Sequence, residues 1–374
     1  MLRIDPVTSG HGLKNFIRLP WNLYKHDPNW VPPLFFEQKQ RLTEKNPFFQ
    51  HARWQAWTAY RNGLPVGRIS AQVDQLHLDI YQDDTGYFGM LEAEDDREIF
   101  SALCRAAEDW LREQGMKRVI GPFNLSINEE AGMLVEGFNT PPRLMMGHGR
   151  PYYVHRIEDC GYRLAQNFLA YLIKPDFEAP PVMQRLLERT RDQVRLRKLQ
   201  RKNLKQELQT LRTIFNDAWS SNWGFVPFTE AEFSDIGKML ALLVDDEFVQ
   251  IAEIDGKPVA MTVALPNIHE ITQQMNGKLL PFGWFKLLWG LKVRYPSTAR
   301  IPLMGVIKAY QRTRFGPALA FLVIDEARKA LQKRGIMDVE LSWILEGNRG
   351  VRNLIETCGG TIYKRYRIYQ KDLD

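Results

Sequence analysis

The same succession of elements occurs twice along this chain, and a repeated plan restricts the fold more than any single motif. In the first half, Leu2–Ile4 with Pro6-Val7 is strand-like and Gly12–Tyr24 has helical periodicity; Trp54–Tyr60 and Val66–Val73 then flank the turn Arg61-Asn62-Gly63. Asn-Gly between two such runs is a strong hairpin signal. In the second half, Val194–Leu199 alternates as a strand, Leu204–Trp219 is amphipathic, and Phe248–Ile254 and Val259–Leu265 enclose Asp255-Gly256. A Pro-rich stretch, Lys174–Pro181, divides the two copies. With 374 residues the chain is long for one domain and sufficient for two. The expected fold class is α/β (α+β), with tandem domains over 1–178 and 193–374 joined by a linker and helix over 179–192. Each domain holds a mixed β-sheet flanked by helices.

Only the second half contains a run that points to chemistry. Ile301–Ile307 has strand length, and periodicity stops over Lys308–Pro317. From Pro317 onward Ala318, Leu319, Phe321, Leu322 and Ile324 recur at helical spacing, up to a stop at Gly335. A helix that starts after an Arg/Gly loop presents free N–H groups and the positive end of its dipole, which suits a phosphate. Arg312 and Arg314 add charge there. Asp338–Leu345 then alternates as a strand, Glu346-Gly347-Asn348 breaks it, and Val351, Leu354 and Ile355 begin an apolar helical face that ends at Gly359-Gly360. Thr361–Tyr369 reads as a last strand.

This run resembles the GNAT superfamily of acyl-CoA N-acyltransferases. The family's loop is written Q/R-x-x-G-x-G/A, and its later strand ends in an Asn that opens a helix. Arg312-Thr313-Arg314-Phe315-Gly316-Pro317-Ala318 would be that loop with one extra residue, and Asn348 that Asn. The resemblance implies acyl-CoA as donor, its pyrophosphate on those seven residues and its arm against Asn348. It also implies that Ile301–Ile307 and Val339–Leu345 are central strands that splay apart. A backbone N–H near Val306 would face the oxyanion formed when the acceptor amine attacks the thioester directly. The family often has a Tyr acid where this chain has Ile355; a thiolate leaves readily enough for that acid to be dispensable. The tandem layout, Asn222-Trp223-Gly224-Phe225 and the strand Glu340–Asn348 look like a bacterial group that includes ceramide synthases, which acylate the amine of a sphingoid base. In the first half, Tyr87–Asp96 takes the loop's place and is acidic, so that half reads as a copy that does not bind CoA. Two other classes stay open: an aminoacyl or peptidyl transferase of tandem-GNAT type, and a non-catalytic lipid- or protein-binding module.

The candidate catalytic residues are Glu340, Ser342 and Glu346, on or beside the strand that would flank the thioester, where a Glu can draw a proton from the amine directly or through water. Asn222, Trp223 and Glu232, near the end of the Leu204–Trp219 helix, are the candidate acceptor pocket, with Trp284 as a further substrate contact. Trp284 lies in Pro281–Arg294, whose charges are all basic; such a segment suits a membrane interface or the wall of an acyl channel. Lys and Arg number 20 against 23 Asp and Glu over 1–178, and 30 against 21 over 179–374. The basic second half suits a polyanionic donor or an anionic membrane surface. Arg185–Lys205 holds nine basic residues against two acidic, but no nucleic-acid-binding motif accompanies it, so nucleic acid is not an expected partner. His148 and His269 lack metal spacing, and Cys104, Cys160 and Cys358 form no CxxC pair, so neither a metal nor a disulfide framework is expected. With no leader and no apolar run near the ~20 residues of a membrane span, the expectation is a cytoplasmic protein, peripheral at the inner membrane face.

Overall fold

The computed structural model describes residues 1–190, 192–313 and 315–373. The chain forms two compact units, one of Met1–Phe168, Ile271–Lys286 and Lys364–Asp374, the other of Leu169–Glu270 and Leu287–Tyr363. This division differs from the one the Pro-rich stretch suggests: the break falls inside a strand, and the end of the chain belongs to the first unit.

In the first unit, β1 (Leu2–Pro6), α1 (Gly10–Leu23) and α2 (Phe35–Arg41) precede the hairpin of β2 (Ala52–Arg61) and β3 (Leu64–Asp74). The turn residues Asn62 and Gly63 both take positive φ, as a two-residue hairpin requires. Then come α3 (Gln75–Tyr81), β4 (Thr85–Ala93), α4 (Arg97–Glu113), β5 (Arg118–Gly121), the short β6 (Phe123–Asn124), β7 (Glu130–Ala131) and β8 (Met133–Glu136), and α5 (Tyr153–Asp159). Strands β1 to β4 pair antiparallel and β5 joins β4 in parallel. The apolar stripe Ile99, Leu103, Ala107 and Leu111 of α4 is wholly buried against this sheet.

Most of the acidic segment Tyr87–Asp96 is not a loop: Tyr87–Ala93 belongs to β4, and only Glu94–Asp96 connects it to α4. The Asp96 carboxylate caps α4 by accepting from the Glu98 N–H at 2.8 Å. Arg61 pairs with both Asp96 and Glu98 at 2.6 Å, so the start of this helix already carries its own anion. Strands β4 and β5 pair only over Thr85–Tyr87 and Arg118–Ile120. Beyond that point the chain itself fills the opening: Asn124 Oδ1 accepts from the Met90 N–H at 2.7 Å, and Gly89 leaves no room for a Cβ against the Phe123 carbonyl.

The second unit begins in β9 (Arg163–Ile173) and continues through α6 (Pro181–Thr190), β10 (Arg195–Lys198), α7 (Leu204–Trp219) and α8 (Glu230–Ala241) to the hairpin of β11 (Val249–Ile254) and β12 (Lys257–Pro266). After α9 (His269–Thr272) and α10 (Gly283–Lys292) come β13 (Thr298–Val306), α11 (Lys308–Gln311), α12 (Phe315–Lys333), β14 (Asp338–Leu345) and α13 (Arg349–Thr357). Its strand order is β9-β14-β13-β12-β11-β10, and Leu319, Leu322 and Val323 of α12 pack on β12 and β13. The final strand, β15 (Thr361–Asp372), pairs its residues 365–372 with β8 and β5 of the first unit.

Several cations of the Arg185–Lys205 run have structural partners. Arg197 is held between Glu207 at 2.7 Å and Glu253 at 2.5 Å, and Arg201 binds Asp246 together with the carbonyls of Ala241 and Val244. In the expected loop after β13, residues 308–311 form the one-turn α11, and α12 starts at Phe315, two residues before the expected Pro317.

Candidate active site

Strands β13 and β14 run parallel from Thr298 opposite Asp338 to Ile301 opposite Leu341, and there the pairing stops. Local sequence accounts for the fork. Pro302 follows the last pair and has no N–H to give a ladder. The register of β13 on β12 also slips at this point, between the Leu265–Arg300 and Val263–Leu303 pairs, and such a bulge bends a strand. The Ile307 N–H donates to the Val259 carbonyl at 2.9 Å. Because amides alternate along a strand, those of Met304 and Val306 point to the opposite edge, the one β14 has left.

Just before the fork, Arg300 and Glu340 are cross-strand partners, 1% and 0% exposed. Arg300 Nε donates to Ser342 Oγ at 2.8 Å and Nη2 to the Ser342 carbonyl at 3.2 Å, supplying a donor where the ladder has ended. The Ser342 hydroxyl donates to Glu340 Oε1 at 2.5 Å, and the Tyr363 hydroxyl to Glu340 Oε2. Arg300 also lies 4.9 Å from the centre of the Trp343 ring. Glu340 and Ser342 are thus brought together. Ser342 reaches the wall of the site and Glu340 lies behind it. Glu346 is apart from them, past the end of β14, where its backbone carbonyl accepts from Arg352 Nη1 at 2.8 Å. Arg300 and Tyr363 carry no sequence motif; their roles follow from register.

A cavity of about 590 Å³ opens from the fork. It is lined by Trp219 and Asn222 at the end of α7, by Phe321 of α12 and Ile355 of α13, and by Phe177 and Cys358. The wall is chiefly apolar, and burial pushes the Cys358 thiol above its ordinary range. Gln311 Nε2 donates to the Val306 carbonyl at 2.8 Å, and the Asp217 carboxylate accepts from the Lys308 N–H at 2.6 Å. These bonds tie the segment after β13 to the edge of the fork and to α7.

Val306, Gly316, Pro317 and Asn348 line this cavity, Ala318 is buried in α12, and Arg312 is exposed; Arg314 lies outside the described residues. The first turn of α12 offers fewer amides than expected. The Phe315 N–H donates to Thr313 Oγ1 and the Gly316 N–H to the Thr313 carbonyl, each at 3.2 Å, and Pro317 has none. A Cβ on Gly316 would lie 2.6 Å and 2.7 Å from the carbonyl oxygens of Gln311 and Tyr310. Asn348 Oδ1 caps α13 by accepting from the Val351 N–H at 3.2 Å. The site therefore offers an open strand edge and an apolar wall, while the cationic side chains of Lys308 and Arg312 stand exposed in the segment after β13.

Among the acceptor candidates, Asn222 lines the cavity, and neither Trp223 nor Glu232 is among its lining residues. Glu232 closes a capping box at the start of α8: Oε2 accepts from the Thr229 N–H at 3.0 Å, and the Glu232 N–H donates back to Thr229 Oγ1 at 3.2 Å. Thr229-x-x-Glu232 is itself the sequence signal for that role. Trp284 is exposed on α10, among residues that belong to the first unit.

Arg328 also lines the cavity, and it donates to the Phe177 carbonyl at 3.2 Å and to Asp325 at 2.8 Å. Burial alone would raise the Asp325 carboxyl, but hydrogen bonds from Lys329 and Arg328 outweigh it and hold the group below its ordinary range. A carboxyl lowered on folding stabilises at neutral pH, and that contribution fades as pH falls through its folded value. Asp325→Asn is expected to lower the Tm at pH 7, with the gap to the parent protein closing below about pH 4. A constant gap across that range would assign the effect to something other than this charge.

A chain that repeats a helix-flanked mixed sheet, with a fork between two parallel strands, has the architecture of tandem GNAT proteins. Among solved structures it is similar to a tandem GNAT protein from the clavulanic acid biosynthesis pathway, with TM-score 0.58, 12% identity, and 100% of this chain and 99% of that one covered. It is also similar to a GCN5-related N-acetyltransferase from Sphaerobacter thermophilus, with TM-score 0.54, 13% identity and coverage of 100% and 96%. No known family profile matches the sequence. The chain is 49% identical to Protein YghO of Escherichia coli over 362 residues, 96% of this chain and 93% of that protein. It is 48% identical to bacterial ceramide synthase of Caulobacter vibrioides over 381 residues, covering 100% and 98%. The chain belongs to the family that contains these two proteins.

Proposed function

We propose that this protein is an N-acyltransferase that moves a long acyl group from acyl-CoA to the primary amine of a long-chain, sphingoid-type base. The observation that carries the reading is the open edge of β13 beyond Ile301, where β14 has parted and Val306 lines an apolar cavity; the Ile307 N–H goes to β12, so alternation directs the Val306 N–H to the open edge. The amine nitrogen attacks the thioester carbonyl, the C–S bond breaks, and CoA leaves as its thiolate. A fixed N–H donor at Val306 meets the charge that develops on the carbonyl oxygen, where preorganised donors are worth most. Ser342 reaches the cavity wall with its hydroxyl on Glu340, so this pair is the proposed route for the amine's proton. Ile355 supplies no acid, and a thiolate leaves without one. The name of the 48% identical relative, bacterial ceramide synthase, supports a lipid amine as acceptor.

Incubation of the purified chain with palmitoyl-CoA and a sphingoid base, followed by mass spectrometry, is expected to give the corresponding amide and free CoA. Absence of amide with every acyl-CoA from acetyl to palmitoyl would overturn the proposal. Tight binding of palmitoyl-CoA without turnover would instead identify a lipid-binding module.

A further inference from the structure

We propose that α10 and the turn before it form a docking surface for an anionic lipid bilayer. Over residues 280–293, Leu280, Phe282, Phe285, Leu288, Trp289 and Val293 are each between 51% and 75% exposed. On a helical projection the five of these from Phe282 onward fall on one arc, and the buried Gly283, Gly290 and Leu291 on the opposite one. A large apolar patch of this kind on a folded protein marks an interaction surface.

Charge identifies the partner. Lys278, Lys286, Lys292 and Arg294 are all exposed on the same stretch, Lys292 within the apolar arc itself, and no acidic residue occurs from Asn276 to Arg294. Pairing with a second copy would bring two sets of four cations together, whereas an anionic headgroup layer neutralises them. Aromatic rings fit at headgroup depth, and the lysine stems follow the apolar surface while their ammonium groups stay in water. At ten residues α10 is too short to cross a bilayer, and no described helix is long and apolar enough to do so, so the segment would lie on the surface. Its base is fastened: Gly277 O accepts from the Phe35 N–H at 3.0 Å before the helix, and after it the Glu270 carboxylate accepts from the N–H groups of Ser297 and Thr298, each at 2.9 Å. The inference does not depend on the acyl-transfer reading.

Co-sedimentation of the full chain with phosphatidylcholine vesicles, with and without phosphatidylglycerol, tests it. Binding is expected only to the anionic vesicles and to fall with added salt. Phe285→Glu/Trp289→Glu should lower partitioning by at least about tenfold, and each of Lys286→Gln, Lys292→Gln and Arg294→Gln by about fivefold. Both glutamates stand at exposed positions, so an unchanged thermal melt verifies folding. Failure to bind anionic vesicles, equal binding to neutral ones, or unaltered binding of the double variant would each overturn the proposal. So would sedimentation velocity showing a dimer that the double variant dissolves. Amide formation from a water-soluble amine by the double variant, measured without vesicles, would separate loss of docking from loss of catalysis.

Discussion

Arg300→Met is expected to destabilise the protein by about 3–5 kcal/mol, because it leaves the Glu340 carboxylate buried without its cation. Glu340→Leu should cost a similar amount by stranding the guanidinium. The double variant should recover much of the loss, since two well-packed apolar residues replace a desolvated pair without leaving a charge behind. Urea unfolding of the three variants measures this coupling, and single effects that simply add would remove the pair's assigned role. Because Arg300 also supplies the donor to the Ser342 carbonyl beyond the end of the ladder, the double variant should be stable and yet bind acyl-CoA poorly. Stability would then have been separated from the shape of the fork.

The second large effect is chemical. Val306→Pro removes one N–H and keeps the bond from the Ile307 N–H to Val259 that fixes the strand end. If that amide holds the oxyanion, kcat for amide formation should drop about 10²–10³-fold, while palmitoyl-CoA binding changes little. Val306→Ala retains the donor and should remain close to the parent rate. Proline and alanine variants with equal activity would mean that another group stabilises the transition state.

Sequence reasoning reached the parts of this molecule that depend on neighbours along the chain. The turns Asn62-Gly63 and Asp255-Gly256, the α7 helix and the Asn348 cap follow from local backbone preferences, and all occur as read. Register was out of reach. Nothing in Ile301–Ile307 or Asp338–Leu345 says that Arg300 will lie opposite Glu340, or that Tyr363 will reach the same carboxylate, because a one-residue slip would separate them. The acidic stretch Tyr87–Asp96 misled for a related reason. Tyr87–Leu91 is a continuous apolar run, which suits a strand buried on both faces, and the charge is concentrated at its far end. The unit boundary was hidden as well, since Pro-rich composition marks a change of local conformation and says nothing about which sheet a later strand joins.

That last strand determines when the protein can mature. Tyr369 and Leu373 belong to the core of the first unit, and buried Lys364 donates to the carbonyls of Gly137 and Thr140 there. During synthesis the opening 168 residues must therefore wait, on the order of tens of seconds at ordinary elongation rates, for the ribosome to deliver the piece that covers the free edge of β5. In that interval a nascent chain exposes a strand edge of the kind that invites wrong pairing, so the first unit to be made is the last to be finished.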